Sequence, residues 1–261
     1  MRMSPIFLSL LPLAAATTPL SPQHIFSNPS SHSSSEYKIP TSYESAILAR
    51  RILHLTPLGT LSTIFPTSHH ASEHTQSQKP AGLEGMPIGL MDYISDCESS
   101  GNPTILAINI ATSFRNVASG SNISLSLQWT PPYPPRSRIE SMKNTFAYSA
   151  ANLPRFSLLG YLEKIPASEV EAQDIGACFV KQHRDAKYWL PGNKIHESEW
   201  VRLVVQEVYW IGGFGDRAYI GWIPIEQWRN VSKAEWEGVR LPGEKKGWKE
   251  WSTDWFGGLE L

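Results

Sequence analysis

Residues 41–65 read as an amphipathic helix forced to stop and a strand that starts at once, and no other stretch restricts the fold so tightly. Thr41 and Glu44 have the capping-box spacing, in which the Thr hydroxyl accepts from an orphan amide of the first turn and the Glu carboxylate reaches back to the cap amide. Ile47, Leu48, Ile52 and Leu55 share one face, and Arg50 and Arg51 lie near the C-terminal end, where cations suit the helix dipole. Pro57 brings no amide hydrogen to the ladder, so the helix ends before it and residues 59–65 form the first strand.

Short apolar runs then recur at 87–94, 104–110, 123–129, 155–165, 200–210 and 217–223, separated by turn residues. This spacing predicts a mainly β fold with flanking helices, an antiparallel barrel rather than alternating βαβ units. Ile123, Leu125 and Leu127 alternate with Ser124, Ser126 and Gln128, which gives one buried side and one wet or partner-facing side. Ser168 with Glu171 has a second capping-box spacing and predicts a helix running to about His183, with Val170, Ile175, Cys178 and Phe179 on its apolar face. A helix is also expected over 138–152, and Pro224 suits the first turn of a last short helix over 225–231. Gly212, Gly213 and Gly215 read as a hairpin turn using positive φ; a phosphate cradle is disfavoured because no helix follows directly.

At 261 residues with a net charge of −1 the chain suits one domain with appendages, and it has no long basic run to attract nucleic acid or an anionic membrane. Arg2, the apolar run from Ile6 and the small residues Ala14, Ala15 and Ala16 read as a secretory signal over 1–16, followed by a disordered Ser/Pro/Thr-rich lead over 17–40. No later segment reaches the roughly 20 apolar residues that a membrane-spanning helix needs. The sequons at Asn122 and Asn230 agree with a secreted or endolysosomal glycoprotein. Cys97 and Cys178 are either a disulfide or two buried thiols.

The chemistry-bearing residues give few constellations. His69, His70 and His74 lie in a polar insertion over 66–84 with no cysteine or close carboxylate set to complete a zinc site, so a solvated loop is the better reading. His183 near Asp185 reads as a solvent-facing pair, Glu197 and Glu199 as a wet strand edge, and no nucleophile elbow accompanies them. No catalytic residue and no metal ligand is assigned. Nine of the ten tryptophans follow residue 188, and the tail over 233–261 holds Trp236, Trp248, Trp251 and Trp255. These rings read first as barrel packing and second as a carbohydrate-stacking platform.

The segment from Ala49, Arg50 and Arg51 through Leu58-Gly59-Thr60-Leu61-Ser62-Thr63-Ile64 resembles the opening of the CREG family. Gly85 to Gly89 with Tyr93 to Asp96, Arg155 to Gly160, His183 through Trp189 to Pro191, Trp210 to Phe214 and Ile223 to Trp228 resemble later segments of that family, in the same order, although Arg184 stands where a proline is usual. The resemblance implies an FMN-binding split β-barrel of antiparallel Greek-key type, similar to pyridoxamine 5′-phosphate oxidase. It places the domain over 41–232, with insertions at 66–84 and 130–152. It also implies a homodimer paired across the face that forms the flavin sites.

In flavin-binding relatives a basic strand residue and a Ser-Arg-Lys step after the third strand hold the phosphate. Thr112, Ser113 and Arg115 are the matching candidates for FMN here, but Phe114 replaces the middle cation and residues 86–94 contain no Arg or Lys. The plainer reading of these residues is a strand-to-helix cap with Thr112 or Ser113 at the N-cap. The expected function is therefore binding with a degenerate or weak FMN site. The alternatives are an FMN-dependent oxidoreductase of the pyridoxamine 5′-phosphate oxidase type and, less favoured, a secreted carbohydrate-binding protein.

Overall fold

The computed structural model describes residues 39–67, 80–134, 150–213 and 218–246. The expected signal and most of the lead, His69, His70 and His74, the helix over 138–149, and Trp248, Trp251 and Trp255 lie outside the described residues. So do Phe214 and Gly215.

Helix α1 spans Ser42–Leu55, and its cap is the expected one: Thr41 accepts from the Glu44 amide while Glu44 accepts from the Thr41 amide. Pro57 stands between this helix and strand β1, Leu58–Ile64. Strands β2 (Pro87–Ser95) and β3 (Thr104–Ile108) follow, then helix α2 (Thr112–Ala118) and β4 (Ile123–Gln128). After β5 (Arg155–Lys164) come helices α3 (Ala167–Ala172) and α4 (Ile175–Gln182), then β6 (Ser198–Ile211) and β7 (Ile220–Ile223). Helices α5 (Ile225–Asn230) and α6 (Lys233–Gly238) end the described chain.

The antiparallel strands lie in the order β3-β2-β1-β4-β5-β6-β7, and β3 also pairs with β6. Six strands thus close on themselves and β7 extends from β6. The placement of β4 beside β1, outside the β1-β2-β3 meander, is the Greek-key arrangement. Closure removes the sheet edges that an open sheet would leave unpaired. Strand β6 is the stave that makes it happen, bonding β3 through Ser198–Arg202, β5 along most of its length and β7 through Val208–Ile211. A register shift where Leu159 gives way to Gly160 lets it bend, and an added Cβ at Gly160 would lie 2.0 Å from the Val204 carbonyl oxygen.

The period-two pattern of β4 holds: Ile123, Leu125 and Leu127 are buried and the intervening Ser124, Ser126 and Gln128 face out. The barrel interior is continuous with the apolar side of α1 and with Trp228 and Trp236 of α5 and α6. A second cluster, built from Leu106, Ile165 and Trp200 under Ile175 and Phe179 of α4, covers the outer side of β3 and β6. Cys97 and Cys178 form a disulfide that ties the loop after β2 to α4.

Four sequence expectations are corrected. Arg50 and Arg51, expected to suit the helix dipole near the C-terminal end, lie before the last turn and are held by packing instead: α1 is packed on by α5, α6 and the loop after β2, so the buried Arg50 guanidinium donates to the Ser99 carbonyl at 3.0 Å and lies over Trp228, while Arg51 pairs with Glu244. The Ser168–Glu171 capping box is absent, because Pro166 with φ fixed at −58° is the N-cap and Ser168 is already inside α3. The helix expected to continue to His183 breaks at Asp174, which takes a left-handed conformation between α3 and α4. Gly212 and Gly213 have no positive φ; glycine is needed at 212 because a Cβ there would sit 2.7 Å from the Trp210 ring nitrogen.

Candidate functional site

The outer side of β2, β1, β4, β5, β6 and β7 carries a row that is half-buried in the middle and exposed at both ends. Met91, Thr60, Ser126, Ser157, Tyr209 and Trp222 stand opposite one another on successive strands, so their side chains project to the same side. Met91 is 71% exposed and Trp222 53%. The Ser126 and Ser157 hydroxyls hydrogen-bond each other at 2.8 Å, and Tyr209 meets Trp222 edge to face at 5.0 Å. The row contains no charged residue.

A groove of about 610 Å³ opens on this row where α1 hands over to β1. Leu55, Pro57 and Leu58 form one wall, Met91 and Ile211 contribute apolar surface, and Thr60, Ser126 and Ser157 supply hydroxyls. Among the described residues Arg155 is the one charged residue in the lining, and no His, Cys, Asp, Glu or Lys takes part. Among the described residues the Arg155 guanidinium makes one long bond, to the Ala151 carbonyl at 3.4 Å.

The flavin candidates lie elsewhere. Thr112, Ser113 and Arg115 are consecutive-turn residues of α2, which is fastened to the far end of β1: Asn116 donates to the buried Thr63 hydroxyl at 3.0 Å, and the Ile64 amide donates to Ser121 at 2.8 Å. Roughly 20 Å of strand separates the two ends of β1. The N-cap is Ala111, not Thr112 or Ser113, because both hydroxyl residues already stand in the first turn. Ser113 is 3% exposed and Phe114 packs into the core, which leaves Thr112 and Arg115 half-buried. One hydroxyl and one guanidinium are a poor fit to the dianionic phosphate of FMN.

Two further polar groupings emerge from the packing. His183 is buried, not solvent-facing as expected: its ring stacks on Tyr93 at 4.2 Å and its Nε2 meets the Ile94 carbonyl at 2.8 Å, while Tyr93 donates to Asp185 at 2.8 Å. Burial pushes the nearby Asp92 carboxyl above its ordinary range. On the other flank Arg202 of β6 gathers Glu98, Glu163 and Glu169, and burial raises the Glu98 carboxyl against the pull of Arg202. Neither grouping lines the groove, and no His, Cys, Asp or Glu group among the described residues has the arrangement to hold a metal ion. The described residues contain no helix long and apolar enough to cross a membrane.

A family model described as the CREG β-barrel matches residues 40–230. The chain belongs to the CREG family. The match begins at the α1 cap and ends within α5, so it takes in every strand of the CREG barrel described above. Among solved structures, the heme-binding protein from Mycobacterium smegmatis superposes with a TM-score of 0.50 at 21% identity, over 73% of this chain and 60% of that one. A protein of unknown function from Agrobacterium tumefaciens gives 0.45 at 22%, over 66% and 58%. The FAD and heme binding protein from M. smegmatis gives 0.38 at 13%, over 77% and 79%. The chain therefore spans about 60% of the length of the first of these neighbours, with which it shares the fold. No curated protein matches the sequence.

Alternation within β4 marks Ser124 and Ser126, whereas Thr60, Arg155 and Ser157 stand in the sequence only as parts of family-like segments and Tyr209 only as part of a strand. Only the pairing of strands distant in sequence brings them together, and their local patterns carried no mark of it.

Proposed function

We propose that this CREG-family chain is a secreted homodimer that acts by binding rather than by turnover, with a weak flavin site. The observation that carries the reading is the lining of the groove. Among the described residues its hydroxyls have no His, Asp, Glu or Lys beside them to take or give a proton near neutral pH, and general acid–base work requires such a group within hydrogen-bond reach. The uncharged row from Met91 to Trp222, exposed at both ends, supports pairing with a second copy, since interface cores are depleted of charge and enriched in aromatics and Met. The single cation at Arg115 and the burial of Ser113 support weak rather than tight FMN binding.

Secretion is supported by the Cys97–Cys178 disulfide, which persists in oxidising compartments, and by the exposure of both sequon asparagines, Asn122 and Asn230.

Sedimentation of the purified chain should give twice the protomer mass, and Trp222→Asp should give the protomer. Added FMN should leave the melting temperature nearly unchanged, because a ligand that binds the native state tightly must raise it. Yellow protein that retains FMN and turns over a reduced substrate overturns the reading in favour of an FMN-dependent oxidoreductase. Expression with and without residues 1–16, and of an Asn122→Gln, Asn230→Gln double mutant, checks export and glycan attachment.

A further inference from the structure

We propose that the groove beside Arg155 takes a small amphipathic monoanion, a carboxylate on an apolar body, with the guanidinium gripping the carboxylate. The proposal rests on the binding reading above and names the ligand class and its anchor. The first argument is charge. Among the described residues Arg155 is the sole charged one lining about 610 Å³, and its one long bond to the Ala151 carbonyl leaves most of its five N–H donors for a ligand. A carboxylate matches that planar fork with two parallel bonds. A phosphate monoester near neutral pH carries close to two negative charges, and with no second cation among the described lining residues one of them would stay uncompensated against apolar walls.

The second argument is the shape of the lining. Arg155 stands in register with Gln128 on one side and Ile211 on the other, one rung from the hydroxyl row of Ser126 and Ser157. The anion is thereby set at one end. The body of the ligand runs along Leu55, Pro57 and Met91, and the mutually bonded Ser126 and Ser157 hydroxyls keep free lone pairs and a proton for one polar substituent. Ligand pockets of this volume, mostly apolar with a few fixed polar groups, suit molecules of drug-like size.

The test uses the full chain and three probes that differ only at the head group: naphthalene-2-carboxylate, naphthalene-2-carboxamide and 2-naphthyl phosphate, titrated by calorimetry. The carboxylate is expected to bind saturably, one per chain, with the carboxamide about tenfold weaker and the phosphate no tighter than the carboxylate. Arg155→Gln should bring the carboxylate down to the carboxamide level, Arg155→Lys should recover part of the loss, and Ile211→Glu, which sets a competing carboxylate beside Arg155, should abolish the preference. Melting temperature confirms that each variant is folded.

Equal affinity for carboxylate and carboxamide, tighter binding of the phosphate, saturation undiminished in Arg155→Gln, or no saturable binding at all overturns the proposal. Failure here by a colourless, dimeric protein leaves the binding reading standing. Carboxylate binding lost in Arg155→Gln upholds this assignment even if the protein proves to turn over FMN.

Discussion

Removing the Cys97–Cys178 disulfide by the double substitution Cys97→Ala, Cys178→Ala should cost about 4.5 kcal/mol, and the figure follows from chain connectivity alone. The bond closes a loop with a sequence separation of 81. Loop-closure entropy of about −2.1 − 1.5R ln n cal/mol/K then raises the free energy of the cross-linked unfolded ensemble by roughly 4.5 kcal/mol near room temperature. Both half-cystines are half-buried, so truncation to Ala sacrifices little packing and the entropy term dominates. For a domain of this size the same loss lowers the melting temperature by roughly 10 °C or more. Denaturant titration of the oxidised wild type, the reduced wild type and the double mutant separates the causes. Reduced wild type and mutant should coincide, and both should show a larger m-value because their unfolded chains expand. A loss under about 1 kcal/mol with an unchanged m-value would refute the reasoning.

Glycines in this chain should respond to alanine with opposite signs. Gly160→Ala drives a Cβ to 2.0 Å from the Val204 carbonyl oxygen and should cost about 2–3 kcal/mol, whereas Gly176→Ala in α4 meets nothing and should gain about 0.5–1 kcal/mol, both read from denaturant midpoints. Glu235 caps α6 through Ser232 and accepts from the Tyr43 hydroxyl at 2.7 Å, and these bonds, those to Ser232 first, hold its carboxyl below the ordinary 4.5. The folded state therefore binds this proton more weakly than the unfolded chain, so the stabilisation is present above the ordinary value and is lost as pH falls through the folded one. Melting temperature measured down the acid limb should fall more steeply for wild type than for Glu235→Gln.

The parts of the fold written in short-range terms were legible before any coordinates. The Thr41 cap with its proline stop and the alternation from Ile123 to Gln128 needed only a few consecutive residues, and both stand as expected. Parts set by what packs on an element were not. The helix pattern reads Arg50 and Arg51 as cations suited to the helix dipole, yet α5, α6 and the loop after β2 bury them, and His183 becomes a stacked core ring because of what packs on it. The Ser168 cap failed on a local rule read in the wrong order, since Pro166 two residues earlier had already fixed the start. The candidate site was the least legible: Arg155 joins the groove only because β5 pairs with β4 on one side and β6 on the other. The CREG resemblance supplied the barrel but pointed to α2, at the other end of β1, for its site.

The seam between β3 and β6 also sets the order in which this molecule must assemble. Thr104 pairs with Arg202, a separation of 98 residues (202 − 104), whereas β2 meets β3 across a short connection that pairs Ile94 with Ile105. Contacts so distant along the chain are made late, since closing a long loop costs entropy before any contact rewards it. Until the seam forms, β3 and the first part of β6 are two open strand edges on a nearly complete sheet. Such edges invite pairing with another chain. Substitutions at the half-buried Ser198 and Glu199, which leave the packing of Trp200 and Val201 intact, should therefore reveal themselves first as aggregation during refolding, with the stability of molecules that do close much less affected.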